Sequence, residues 1–68
     1  MDKDLFKSFL VKNGDTQQKL AEALGISLSN LNMKINGNGT SFRQNEIAAI
    51  KKRYHMTAGE VDAVFFAV

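Results

Sequence analysis

One glycine and one serine within residues 16–37, TQQKLAEALGISLSNLNMKING, constrain this chain more than any other feature. Before Gly25, the residues Leu20, Ala21 and Leu24 recur at the spacing of one helix face; after it, Leu31 and Ile35 do the same. Thr16 and Ser27 stand where a side-chain oxygen caps the first amides of each helix. Gly25 stands where the first of the two must close in the left-handed conformation, which costs any side chain roughly 1 kcal/mol. Ile26 plugs the corner, and the small Ala21 lets two helices approach closely. Two helices this short, joined by so tight a turn, cross steeply and need bracing from other elements. The outer face of the second is left bare.

The remainder of the chain supplies that brace. Leu5, Phe6, Phe9 and Leu10 predict a helix over residues 3–12, ended by Asn13-Gly14. The second helix is predicted over 17–24, and the third from Ser27 to about Ile35. Residues 36–41, NGNGTS, read as a polar loop. From about Arg43 to Tyr54 a fourth helix places Ile47, Ile50 and Tyr54 on one face. Thr57 and Glu60 form a capping box for a fifth, with Val61, Val64 and Phe65 inward. The chain then runs into an apolar stretch, Phe65 to Val68, and no alternating run supports a strand. The expected fold is therefore all-α, a compact five-helix bundle, with residues 1–68 forming one domain. A chain of 68 residues buries only about 60% of its unfolded surface. Its core is thin, and truncating Leu20, Leu31 or Ile47 to Ala is expected to cost about 2–5 kcal/mol.

Composition narrows the function. Cysteine is absent, which excludes disulfides and thiolate metal sites and fits a reducing cytoplasm. The start MDKDLF lacks the basic and long apolar segments of a secretory signal, and no run approaches a membrane span. His55 is the one histidine, placed after Tyr54 at a helix end where it reads as solvated or capping. Gly37-Asn38-Gly39 lacks the following Lys-Ser/Thr of a phosphate loop, and no acids pair at a catalytic spacing. An enzyme is not expected, nor a cofactor, a metal or a small-molecule ligand. The net charge is +2, from nine basic and seven acidic residues. Its distribution says more: from Lys34 to Lys52 one acid, Glu46, stands against Lys34, Arg43, Lys51 and Lys52. A polyanion would be met by the middle of the chain.

With Leu31 and Ile35 inward, Leu28, Ser29, Asn32 and Met33 face out from the third helix. The two helices then have the geometry of a helix-turn-helix, whose second helix can enter a major groove. Asn32 could pair with adenine N6/N7, Ser29 with several bases, and Leu28 or Met33 could pack on a thymine methyl. No arginine lies on this stretch, so readout leans towards adenine and thymine rather than guanine. Gln17 and Gln18 open the second helix, where amides and dipole favour phosphate. Asn36, Asn38, Arg43 and Gln44 cluster between the third and fourth helices as further phosphate contacts, with Lys34 beside them. The plainer alternative is that Asn30 and Asn32 are solvated and Lys34 and Arg43 are ordinary surface charges. The run Lys51-Lys52-Arg53 sits late in a helix, where the dipole favours it in any case.

Gln17, Leu20-Ala21, Gly25, Ser27 and Asn36-Gly37 together resemble the Cro/C1-type helix-turn-helix of phage repressors. The layout Lys34-Ile35-Asn36-Gly37, Phe42, Glu46-Ile47 and Phe65-Phe66 is similar to a narrower group of small single-domain repressors of this kind. The resemblance is specific over residues 16–37 and covers residues 4–65 in helix count. It implies a lambda-repressor-like DNA-binding domain, a sequence-specific regulator of phage or prophage type binding double-stranded operator half-sites as a homodimer, formed either in free solution or only on DNA. It implies base contacts at Gln18, Leu28, Ser29, Asn32 and Met33, and phosphate contacts at Gln17, Asn36 and Arg43. Two positions depart from the family pattern. Leu28 stands where a polar reader such as Gln is common. Arg43 stands where Ser or Thr often caps the fourth helix, so Thr40 or Ser41 must cap a slightly longer helix or the cap is lost. The competing function is a protein-interaction module, an antirepressor or adaptor, presenting Leu28, Met33 and Phe66 to a protein partner. Phe66 and Val68 are also the apolar candidates for dimerisation.

Overall fold

Side-chain oxygens set where most of the helices begin. The computed structural model describes residues 1–66 and holds five helices and no strand among them. Asp2 accepts the Leu5 N–H at 3.0 Å to open α1, Lys3–Lys12. Thr16 accepts from Lys19 at 3.1 Å to open α2, Gln17–Leu24. Ser27 accepts from Asn30 at 3.0 Å to open α3, Leu28–Asn36. At α5, Ala58–Phe65, Thr57 accepts from Glu60 at 3.1 Å and Glu60 returns the bond to the Thr57 N–H at 2.8 Å. The fourth helix, α4 (Gln44–Arg53), begins differently. Arg43 occupies its cap position, and a guanidinium has no acceptor to offer. In its place the Glu46 carboxylate, one turn inside α4, accepts the Arg43 N–H at 2.8 Å. Neither Thr40 nor Ser41 caps α4.

Four of the helices end by one device. After each, a residue in the left-handed conformation lets the next N–H reach back to a carbonyl of the last turn. Asp15 bonds back to Leu10 at 2.8 Å, Ile26 to Ala21 at 3.0 Å, Asn38 to Met33 at 3.0 Å and Met56 to Lys51 at 2.9 Å. Glycine holds three of these closing positions, at Gly14, Gly25 and Gly37. A Cβ added at Gly25 or Gly37 would meet nothing within 4 Å, so backbone conformation rather than close approach is what these turns demand. At the end of α4 the same position is taken by His55, with φ 53°, the one non-glycine residue with positive φ among the described residues. His55 is exposed. A left-handed side chain costs about 1–2 kcal/mol, partly offset by the greater unfolded-state freedom of glycine. His55→Gly is therefore expected to stabilise by up to about 1 kcal/mol and raise Tm by roughly 4–8 °C at most. A thermal melt that moves down instead would show that the imidazole makes a contact outweighing its backbone cost.

The core takes one completely buried large side chain from each helix: Phe6, Leu20, Leu31, Ile50 and Val64. Phe9, Leu10, Ala21, Ile35, Tyr54, Met56 and Val61 complete it, with Leu24, Ile26, Phe42, Ile47 and Phe65 half-buried around it. Ala21 is buried against the turn, where the sequence places it. Ile47 lies nearer the surface of α4 than the sequence pattern suggests, and Ile50 is that helix's deep residue. Phe6, Phe42 and Phe65 form a triangle with ring centroids 5.4–6.0 Å apart, in tilted and edge-to-face contacts. Such pairs add about 0.5–1.5 kcal/mol beyond area burial. Through Phe42 the triangle anchors the link between α3 and α4, and the Asp2 N–H donates to the Val64 carbonyl at 2.8 Å, closing the start of the chain onto α5. The Cα radius of gyration is 10.8 Å, close to the value of about 11 Å for a close-packed chain of this length. No helix among the described residues is long and apolar enough to cross a membrane.

A polar clamp joins the start of α2 to the end of α4. Asp15 accepts from Arg53 at 2.8 and 3.2 Å, from the Tyr54 hydroxyl at 2.6 Å and from the Thr16 N–H at 2.9 Å. The Arg53 hydrogen bonds, aided by Tyr54 and Thr16, outweigh burial and hold the Asp15 carboxyl far below its ordinary 3.8. Burial and the neighbouring carboxylate push the Tyr54 hydroxyl above its ordinary 10.0. Because the native Asp15 pKa is depressed, the clamp's contribution is full above the ordinary carboxylate value and is lost as pH falls below it. Denaturant titrations are expected to show wild-type stability falling between about pH 5 and pH 2. Asp15→Asn should be less stable at neutral pH with a flatter acid limb. Parallel acid limbs in the two proteins would contradict this role.

Candidate nucleic-acid interface

The period of α3 divides it into two faces. Leu31, Lys34 and Ile35 are buried, and α2 packs behind them through Leu20 and Ala21. Leu28, Ser29, Asn32, Met33 and Asn36 are exposed, at positions that share one helix face. Leu28 retains 38% and Met33 44% of their surface, enough for a partner to cover. This face carries no formal charge. Among the described residues, the side chains of Ser29, Asn32 and Asn36 make no hydrogen bond within the protein, while their neighbours at the cap and core are engaged. The tight link at Gly25 and the Ser27 cap fix where the face begins.

Lys34, expected among the phosphate contacts, is turned inward. It is 6% exposed, and its Nζ donates to Glu46 Oε1 at 3.0 Å and to the Ser41 carbonyl at 3.1 Å. Helical phase explains this: Lys34 lies three residues after Leu31 and beside Ile35, on the core side of α3. Its charge alone points to phosphate, but the phase set by Leu31 and Ile35 turns the side chain to Glu46. Burial pushes the Glu46 carboxyl up, but the Arg43 N–H and the Lys34 ammonium outweigh it and bring the pKa below its ordinary 4.5. No phosphate can use Lys34 while this pair holds.

The other positions fall in three groups. Asn38, Arg43 and Gln44 are exposed along the link between α3 and α4, close in sequence to Asn36. Gln18 is exposed but donates to Glu22 Oε1 at 3.2 Å, a surface bond that base contact would have to replace, and Gln17 is half-buried. Lys51 and Lys52 are exposed, whereas Arg53 is held by Asp15. The Asp15–Arg53–Tyr54 clamp was not legible in the sequence, since its partners lie 38 and 39 residues apart. Phe66 is 60% exposed; Val68, the other apolar candidate, lies outside the described residues. Among the described residues no three His, Asp or Glu side chains come together as a metal would require. Comparison with protein-family models, curated proteins and solved structures finds no match to this chain.

Proposed function

We propose that this protein is a sequence-specific double-stranded DNA-binding regulator of transcription, of the phage or prophage repressor kind. In this reading α2 and α3 form a helix-turn-helix, α3 lies in the major groove, and the protein binds operator half-sites as a homodimer in the cytoplasm. The observation that carries the reading is the outward face of α3: uncharged, exposed, and holding polar side chains with no partner inside the protein. Asn32 reads adenine bidentately, Ser29 bonds a neighbouring base edge, and Leu28 and Met33 pack on thymine methyls. Asn36, Asn38, Arg43 and Gln44 grip phosphate and set the register, with Gln17 at the opening of α2, and Gln18 beside it reaches a base edge. A nine-residue reading helix covers only a few base pairs, so a second half-site supplies the remaining specificity.

Asn32→Ala tests the base-reading role. On the preferred duplex it is expected to cost about 1–3 kcal/mol and to relax the preference at one base pair. Equal losses on preferred and random duplexes would remove Asn32 as a reader.

Exposed Leu28 and Met33 also favour a second reading, a module that docks a protein partner through the same face. Salt separates the two. With Lys34 and Arg53 paired internally, few cations remain to meet phosphate, so the DNA slope should be shallow, roughly −1 to −3 per protomer in log K against log salt. A hydrophobic protein contact would be nearly indifferent to salt.

A further inference from the structure

The buried pair Lys34–Glu46 joins three pieces of chain that no helix holds together. Lys34 belongs to the last turns of α3, Ser41 to the link, and Glu46 to the first turn of α4. One Glu46 oxygen, Oε1, accepts both the Lys34 ammonium at 3.0 Å and the Arg43 N–H at 2.8 Å. The pair therefore fixes the backbone at Ser41 and at Arg43 relative to α3. Between these two points Phe42 is held by Phe6 and Phe65. The link carries Asn38 and Arg43 and leads into Gln44, all exposed, while α3 carries Ser29 and Asn32. Nothing else among the side-chain hydrogen bonds of the described residues ties the link to α3. Side chains on both faces of such a joint can serve one rigid ligand only if their separation is set in advance.

We infer that Lys34 and Glu46 are positioning residues whose buried pair sets the distance between the base-facing surface of α3 and the phosphate-facing link, so that duplex discrimination depends on a contact that touches no DNA. The inference rests on the DNA reading above and deepens it. It separates two quantities that mutagenesis usually mixes. A residue that meets phosphate contributes to every duplex and to the salt slope. A residue that sets register contributes to the difference between right and wrong duplexes and leaves the slope alone.

The test compares wild type with the double variant Lys34→Met/Glu46→Leu. It removes both charges together, and replacing a buried pair by apolar groups of similar volume keeps such proteins folded. Affinities for a selected duplex and for a scrambled one are measured over a salt series, and amide hydrogen exchange is followed in residues 38–43. The expected result is a folded variant with faster exchange at Arg43, whose N–H loses its Glu46 acceptor. Its preference for the selected duplex should fall roughly tenfold or more, as for loss of one base-pair contact, with an unchanged salt slope. Lys34→Arg/Glu46→Asp, which keeps both charges, should recover part of that preference. A double variant that discriminates as well as wild type would overturn the inference while leaving the DNA reading intact. So would equal weakening on both duplexes with a slope reduced by about one, the signature of a phosphate contact. Wild-type protein that prefers no duplex would instead overturn the DNA reading, and the inference with it.

Discussion

Replacing Lys34 alone by Met is expected to lower the unfolding free energy by about 3–5 kcal/mol, among the largest effects of any single substitution in this chain. The methionine keeps the aliphatic stem and its packing, so the loss is electrostatic. Glu46 is left 8% exposed with its charge opposed by no ammonium and with one remaining bond, to the Arg43 N–H. Against a total of roughly 5–15 kcal/mol for a domain, that is enough to unfold part of the population at 25 °C. The cost should also shift with pH. With Lys34 present, the Glu46 pKa is depressed, so the pair stabilises above the ordinary glutamate value and loses that contribution as pH falls below it. Without Lys34 the depression is largely removed, and the difference between the two proteins should narrow towards about pH 3. Urea titrations at neutral and acid pH check both statements. A neutral-pH loss below about 1 kcal/mol would mean that the pair is solvated enough to behave as a surface ion pair.

Leu31→Ala is expected to cost about 2–5 kcal/mol, and Ile47→Ala distinctly less. Leu31 is wholly buried between α2 and the other helices, in a core with one such residue per helix and no redundancy. Removing three carbons there leaves a cavity that five short helices can close only by moving α3 itself. Ile47 is half-buried at the edge of α4, where solvent and side chains can relax into the space. Equilibrium unfolding of the two variants side by side gives the comparison directly. Equal costs would place the centre of the core elsewhere than at the α2–α3 contact.

Most of the fold is legible in the sequence because local chemistry marks both ends of its helices. Thr16, Ser27 and Thr57 are cap residues whose effect does not depend on the rest of the protein, and Gly25 and Gly37 close helices through backbone conformation alone. The start of α4 is the exception. Its opening bond comes from Glu46, and the carboxylate is held there in part by Lys34, twelve residues away. No local rule identifies Arg43 as a cap position.

The candidate face was legible for the same reason as the core. Leu31 and Ile35 fix the phase of α3, and Leu28, Ser29, Asn32 and Met33 follow on the other side. Charge alone does not separate the exposed Arg43 from the buried Lys34. Lys34 and Arg53 each find a carboxylate that only the folded chain brings near, Glu46 in one case and Asp15 in the other. A formal charge in a sequence says that a side chain needs water or a partner; tertiary structure decides which. The practical consequence is a basic middle segment with fewer available cations than its composition suggests, and hence a weaker expected response to salt.

Selection of bound duplexes from a random pool, at a stated and moderate salt concentration, tests the central claim most directly. A reader with Asn32, Leu28 and Met33 on its outer face and no arginine should enrich short A·T-containing half-sites. If two copies bind together, those half-sites should form a palindrome with centres about one helical turn, roughly 10–10.5 base pairs, apart. Recovery of unenriched random sequence, with binding that scales only with duplex length, would contradict sequence-specific recognition by α3.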